Sequence, residues 1–424
     1  MTALPWSLLP DGASEGDDGE LWIGGRSTLE LAAQFGTPLF VYDEAHLRAR
    51  CQQAKDLFGE GAVYAAKAFL CKAMAQLVHE EGLRMDVATG GELFVALAAG
   101  VPGGRLVMHG NNKSEAELEE AIGSGIGRLV VDNFDELDRL EKLHQRTGRV
   151  LDVLLRVTPG VEAHTHHYIA TGQDDTKFGF TLSTGAASAA VTRARSMESI
   201  RIRGIHLHIG SQVFLVDSFA AALGVVASFV KNHDLEELSM GGGLGVAYVA
   251  GEHAPSMADW ALMLKTAAKD AGIEASLSVE PGRAIAAQAA ITLYTVGTIK
   301  EIPGVRTYVA VDGGMSDNPR PVLYGSGYET FLPRAVAADR PRSVRLVGKH
   351  CESGDVLVMN GSVPDDLAVG DILATPVTGA YGHSMGSNYN KVGRPAVVFV
   401  KDGDARLVVR RETYEDLVRN DLPL

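Results

Sequence analysis

The chain has 424 residues, 46% of them apolar and 22% charged, more than one typical domain needs, so two domains and a sizeable core are expected. Its 39 basic and 53 acidic side chains give a net charge of −14, which argues against nucleic-acid or anionic-membrane partners while leaving room for a local basic pocket. Three cysteines, Cys51, Cys71 and Cys351, are too few for a disulfide framework and suit a reducing, cytoplasmic setting.

The segment Met1–Glu20 carries acids but no basic cluster and no apolar core, so it is not read as a signal peptide. Ala284–Ile299, a long uncharged run, falls short of the roughly 20 residues that cross a bilayer and reads as a strand passing from one domain to the next. Before residue 40 come strand-like pieces around a helix predicted at Ser27–Phe35; this segment, 1–40, is expected to join the second domain.

From about residue 60 short β-prone runs alternate with helical periodicity. The predicted strands are Ala62–Ala66, Arg84–Ala88, Leu106–Met108, Leu129–Val131, Val153–Val157, Ile202–Ile209, Glu237–Met240 and Ala275–Val279. Helices are predicted at Cys71–Glu81, Ser114–Ser124 (Ser114 and Glu117 forming a capping box), Asp135–Thr147, Ser218–His233 and Met257–Ala271. Eight β-then-α units predict a (β/α)8 TIM-like barrel over 41–289, with a doubly wound open sheet as the alternative. After Gln288 short strands separated by Gly, Pro and Asp turns predict an all-β, sandwich- or barrel-like domain over 290–424.

The barrel is preferred because unusual polar residues follow nearly every strand: Lys67, Asp86, His109 with Asn111, Asp132 with Asn133, Arg156, His206 with His208, Gly241–Gly243 and Glu280. Barrel enzymes gather their chemistry at the carboxyl ends of the strands. A lysine desolvated there loses its proton readily and can attack a carbonyl. The run Gly241-Gly242-Gly243-Leu244-Gly245 lets backbone N–H groups approach an anion, and a nearby helix start would add its dipole; the competing reading is a plain turn. In Glu280-Pro281-Gly282-Arg283 the acid could hold a protonated ring nitrogen, and Gly282 or Arg283 a phosphate or carboxylate, against a surface salt bridge in a turn.

His206 and His208 alternate onto one face. His208 could stack on a flat ring and Ser211 could bind phosphate, whereas two histidines with no adjacent acid make a weak metal signature, and no metal is expected. His164, His166 and His167 fall in a polar loop and read as solvated or substrate-facing. In the second domain Asp317–Pro321, Tyr324, Cys351–Asp355 and Gly379–Gly382 place arginine, tyrosine and glutamate in loops, a pattern suited to a zwitterion; Cys351 could be a buried structural thiol or an acid catalyst.

Together these motifs resemble the fold-type III pyridoxal-phosphate-dependent decarboxylases, in particular the branch that acts on diaminopimelate, from about residue 35 onward. The series is Tyr64-x-x-Lys67, Met85-Asp86-Val87-Ala88, His206-x-His208-Ile209-Gly210-Ser211-Gln212, the Gly241–Gly243 run, Glu280–Arg283, Asp317–Pro321, Cys351–Asp355 and Gly379-Ala380-Tyr381. The resemblance implies pyridoxal 5′-phosphate bound covalently by Lys67, with Glu280 on the ring nitrogen and His208 on the ring. It implies Asp86 among the cofactor contacts, and Ser211, Gly241, Gly242, Gly243, Gly282, Arg283 and Tyr381 at the phosphate. It implies a small amino-acid substrate held by Arg283, Arg320, Tyr324, Glu352 and Tyr381, with Cys351 as proton donor. It further implies a homodimer in which Cys351 and Glu352 serve the neighbouring subunit's site. Loss of CO2 from diaminopimelate to give L-lysine is the expected reaction; ornithine, arginine and carboxynorspermidine are the alternative substrates. Phe69, His383 and Gly386 depart from the family pattern.

Overall fold

The structure is a computed structural model, described for residues 3–161 and 172–424. The chain divides into two compact units, one comprising Arg50–Val246 with Ala254–Ala284, the other Met1–Ala49, Ala247–His253 and Ile285–Leu424. No helix among the described residues is long and apolar enough to cross a membrane. The histidines at 164, 166 and 167 lie outside the described residues.

In the first unit eight parallel strands follow one another in sequence order: Val63–Ala65, Arg84–Val87, Leu106–Met108, Arg128–Val131, Leu151–Thr158, Ile200–His206, Glu237–Ser239 and Ser276–Ser278. An Ala62–Val279 bridge joins the last strand to the first, supported by Val63 N donating to Val279 O at 3.0 Å and Val279 N to Gly61 O at 2.9 Å. That closure makes the sheet a (β/α)8 barrel and removes the open-sheet alternative. Val63, Val107, Val130 and Leu154 form a buried apolar cluster. The outer helices bury one stripe each, as Met74, Ala75, Leu77 and Val78 do in Lys72–Glu80. Ser114 and Glu117 make the expected capping box on Glu115–Gly123. Gly148, left-handed at φ 65°, ends Phe134–Thr147.

The second unit is built on a mixed sheet in the order Val356–Val363, Arg342–Val347, Arg306–Val311, Ala290–Ile302, Leu39–Asp43, Ala396–Lys401, Asp404–Val409, with Ile372–Pro376 also on Ala290–Ile302. The long strand Ala290–Ile302 changes partners at a register shift between Val296 and Thr298, pairing with Leu39–Asp43 and Ile372–Pro376 before it and with Arg306–Val311 after it. Leu39–Asp43 is buried at every residue, antiparallel to one neighbour and parallel to the other. The last strand, Asp404–Val409, forms a hairpin with Ala396–Lys401 because Asp402 and Gly403, both left-handed, turn the chain immediately after Lys401.

Candidate active site

The barrel unit gathers its unusual side chains at the strand ends, and Glu280, just past the eighth strand, is their centre. His206 Nε2, from the end of the sixth strand, lies 3.0 Å from Glu280 Oε2; Ser239 Oγ, ending the seventh, donates to Oε1 at 3.2 Å; His109 Nε2 lies 3.2 Å from Oε1. The two imidazoles meet edge to face with centroids 4.8 Å apart. Burial alone would push the Glu280 carboxyl up, but His109 and His206 hold it well below the ordinary carboxylate range. Burial takes His206 down to about 4. The pair is therefore a carboxylate facing a neutral imidazole that donates from Nε2.

Lys67 follows the first strand in a single 3-10 turn, Ala66–Ala68. That turn is fixed from below: the buried Tyr64 hydroxyl donates to Phe69 O at 2.8 Å, and Ala66 N donates to Asp86 Oδ1 at 3.3 Å. Asp86, buried, is raised to about 7 by desolvation, within electrostatic reach of His109, Glu280 and Lys67. Lys67 itself is exposed, so the desolvation expected at a strand end is not supplied by the chain alone. His208, half-buried, is held well below its ordinary pKa by burial and by the positive charge of Lys67 and Arg156. It offers a neutral ring.

The glycines are sterically required. A Cβ on Gly241 (φ +63°) would sit 2.4 Å from Leu207 O, one on Gly242 2.3 Å from Glu280 O, and one on Gly243 (φ +119°) 2.2 Å from Gly210 O. At Gly282 it would meet the Ala65 and Ala68 Cβ atoms at 2.8 and 2.9 Å. Arg283 Nη2 donates to Ser211 Oγ at 2.7 Å, which joins two of the expected anion binders. No helix dipole reinforces the glycine run among the described residues, for the next helix begins at Met257. Asn133 serves as a helix cap, accepting from Glu136 N at 2.9 Å. Asp132 accepts from Gly179 N at 2.8 Å and Arg156 stacks on Phe178 at 4.1 Å, so both brace the loop that follows the fifth strand.

In the second unit Arg320, 3% exposed, opens the short helix Arg320–Tyr324, with Tyr324 half-buried at its end. Cys351, Glu352 and Ser353 are exposed, which removes the buried-thiol reading of Cys351. Their loop is nonetheless pinned: Cys351 N donates to Asn390 Oδ1 at 3.0 Å, and buried Asp355 accepts from His350 N, His350 Nδ1 and Met315 N. Tyr381 is held at φ +62° in a turn anchored by Tyr42, whose hydroxyl donates to Gly379 O at 2.8 Å.

Four residues escaped the sequence in these roles. His109 was legible as a strand-end polar residue but not as a partner of Glu280, which it meets only in the closed barrel, and Ser239 was not singled out. Tyr248 and Tyr328 flank Arg320 and carry no local motif. Among the described residues the one group with metal-ligating geometry is His109, His206 and Glu280, and its members are already engaged with one another.

The donor set fits pyridoxal phosphate: an accessible amine, a buried ionised carboxylate for a ring N–H, a neutral imidazole, and a serine–arginine pair beside a glycine run. Residues 44–287 match the family described as pyridoxal-dependent decarboxylase, pyridoxal binding domain. The chain is 47% identical to a diaminopimelate decarboxylase of Mycobacterium tuberculosis over 97% of both chains, and 46% identical to that of Bacillus subtilis over 96% of both. A crystal structure of the M. jannaschii diaminopimelate decarboxylase in complex with L-lysine superposes with a TM-score of 0.89 at 33% identity, over 98% of each chain.

Proposed function

The chain belongs to the pyridoxal-dependent decarboxylase family, and from that membership we propose that it removes one carboxyl group of meso-diaminopimelate as CO2 to yield L-lysine, the closing step of lysine synthesis. The observation that carries this reading is Glu280, a buried carboxylate kept ionised by His109 and His206 at the strand ends that also present Lys67.

Bound at this site, pyridoxal phosphate supplies the sink for the electron pair left on the α-carbon when CO2 departs. Lys67 Nζ is the group that would hold the cofactor covalently. Glu280, as an anion, would accept the ring N–H and keep that proton in place; Asp86, raised to about 7, lies within its electrostatic reach without adding a full second charge. His208 would face the ring, and Ser211, Arg283, Gly282 and the Gly241–Gly243 backbone would bind the phosphate, with Tyr381.

At the substrate, Arg283, Arg320 and Tyr324 take carboxylate, Glu352 takes ammonium, and Tyr381 completes the pocket. Cys351 Sγ delivers the proton that replaces CO2 on the α-carbon. Cys351 and Glu352 do so for a second copy of the chain in a homodimer, a reading supported by their exposure on a loop that is otherwise rigidly pinned. The acidic surface and the three free cysteines support a cytoplasmic setting without nucleic-acid or membrane partners.

The test is the visible absorbance of the purified protein with pyridoxal phosphate, followed by CO2 release from meso-diaminopimelate, L-ornithine, L-lysine and L-arginine. Cofactor absorbance with turnover of diaminopimelate alone is the expected result. Turnover of another amino acid would keep Lys67 and Glu280 in their roles and overturn those of Arg320 and Glu352.

A further inference from the structure

Two arginines of the second unit are almost fully buried, and they are treated oppositely. Arg340, 2% exposed, is neutralised: Nη1 donates to Glu329 Oε2 at 2.8 Å and to Thr330 O at 2.9 Å. Arg320, 3% exposed, makes no ion pair with any carboxylate among the described residues. Its Nη1 donates to Tyr328 Oη at 2.8 Å, and its guanidinium carbon lies 4.3 Å above the centroid of the Tyr248 ring. The two tyrosines brace one another edge to face, 5.1 Å apart at 74°. Glu329, adjacent in sequence to Tyr328, is diverted: Oε2 takes Arg340 and Oε1 accepts from Ala250 N at 3.1 Å. That last bond also ties down the segment bearing Tyr248, whose own N donates to Glu252 Oε2 at 2.8 Å.

A buried cation without an anion is unfavourable, and an acid beside it would remove the cost while cancelling its use as a carboxylate receptor. A ring face and a hydroxyl oxygen hold the guanidinium in place yet leave its charge uncompensated and most of its five N–H groups undirected. We propose that Tyr248 and Tyr328 are positioning residues that hold Arg320 in a fixed orientation, un-neutralised, for the carboxylate of the substrate's non-reacting end. This rests on the reading of Arg320 as a substrate-carboxylate site.

Holoenzyme variants separate the two ideas. Tyr328→Phe removes only the hydroxyl, Tyr248→Leu removes the ring face, and Tyr248→Phe retains it. The first two are expected to raise KM for meso-diaminopimelate about tenfold with kcat little changed, and Tyr248→Phe to behave as the parent. Inhibition by L-lysine, which keeps the carboxylate, weakens in parallel, whereas inhibition by cadaverine, which has both amines and no carboxylate, does not. Equal weakening of both inhibitors would signal a merely structural role and overturn the proposal; so would unchanged KM in Tyr328→Phe and Tyr248→Leu beside an Arg320→Lys protein whose KM rises. If Arg320→Lys leaves KM and L-lysine inhibition untouched, the role given to Arg320 fails and the proposal falls with it, while the assignment of Lys67 and Glu280 stands.

Discussion

His206 Nε2 lies 3.0 Å from Glu280 Oε2 with both side chains buried, and the geometry decides where the charge sits: on the carboxylate, with the imidazole neutral. A folded His206 near 4 against an ordinary 6.5 means that the unfolded chain binds a proton the native state refuses. Stability from this group is complete above pH 6.5 and is lost as pH falls toward 4, by about 3 kcal/mol at most. His206→Asn should flatten the acid limb of a denaturation-midpoint profile between those values. An unchanged limb would mean that His206 is protonated in the fold.

Asp86 acts with the opposite sign. Its folded value near 7 exceeds the ordinary 3.8, so the native state is favoured at low pH and loses that advantage as pH rises through 7. Asp86→Asn keeps an oxygen for Ala66 N and removes the charge. Without cofactor it should unfold at a higher temperature than the parent at pH 8, with the gap narrowing as pH falls and closing near pH 4.

Gly282→Ala would place a methyl within 3 Å of both Ala65 and Ala68, the residues that bracket the Lys67 turn. Overpacking of this kind costs about 1–3 kcal/mol. Because the strain falls on the turn, cofactor affinity should drop as well as stability, read by titrating pyridoxal phosphate and by urea denaturation on the same samples.

Asp355 holds His350 through backbone and ring and holds Met315 N as well. Asp355→Ala should loosen the Cys351 loop: kcat falls while the cofactor's absorbance, set in the barrel, is retained. Loss of that absorbance would place Asp355 in the barrel's stability instead.

Cys351→Ala removes the proton donor and leaves the loop's backbone bonds intact. A loss in kcat on the order of 10²–10⁴-fold is expected, with KM little altered. Decarboxylation at the parent rate would take the proton-donor role away from Cys351.

The barrel was legible because each of its strands is a short β-prone run followed by a capped, periodic helix, a pattern carried within about 30 residues. Glu280, Lys67 and His208 stood out for the same reason, as polar residues at the ends of such runs, although Asn133 from the same set serves as a helix cap. The partners of Glu280 were not legible as such, since His109 comes from the third strand and reaches it only in the closed barrel, while Ser239 meets it through the register of the seventh and eighth strands. The second unit was harder. Ile372–Pro376 is a short apolar run with a proline at its end and gave no strand signal, and the Asp402-Gly403 turn that sets the last hairpin was passed over. The short helix beginning at Arg320 is too brief for periodicity, so the burial of Arg320 between tyrosines had no signature at all.

Leu39–Asp43 pairs on one side with Ala290–Ile302 and on the other with Ala396–Lys401, yet the whole barrel is encoded between it and them. On the ribosome this strand emerges early and waits, on the order of tens of seconds at ordinary elongation rates, for either neighbour to be made. Its five buried residues, two of them aromatic, spend that interval uncovered while the barrel behind them can already close. During synthesis the aggregation hazard therefore lies in this short leading strand rather than in the larger barrel, and a chaperone that shields nascent apolar strands has its most useful binding site there.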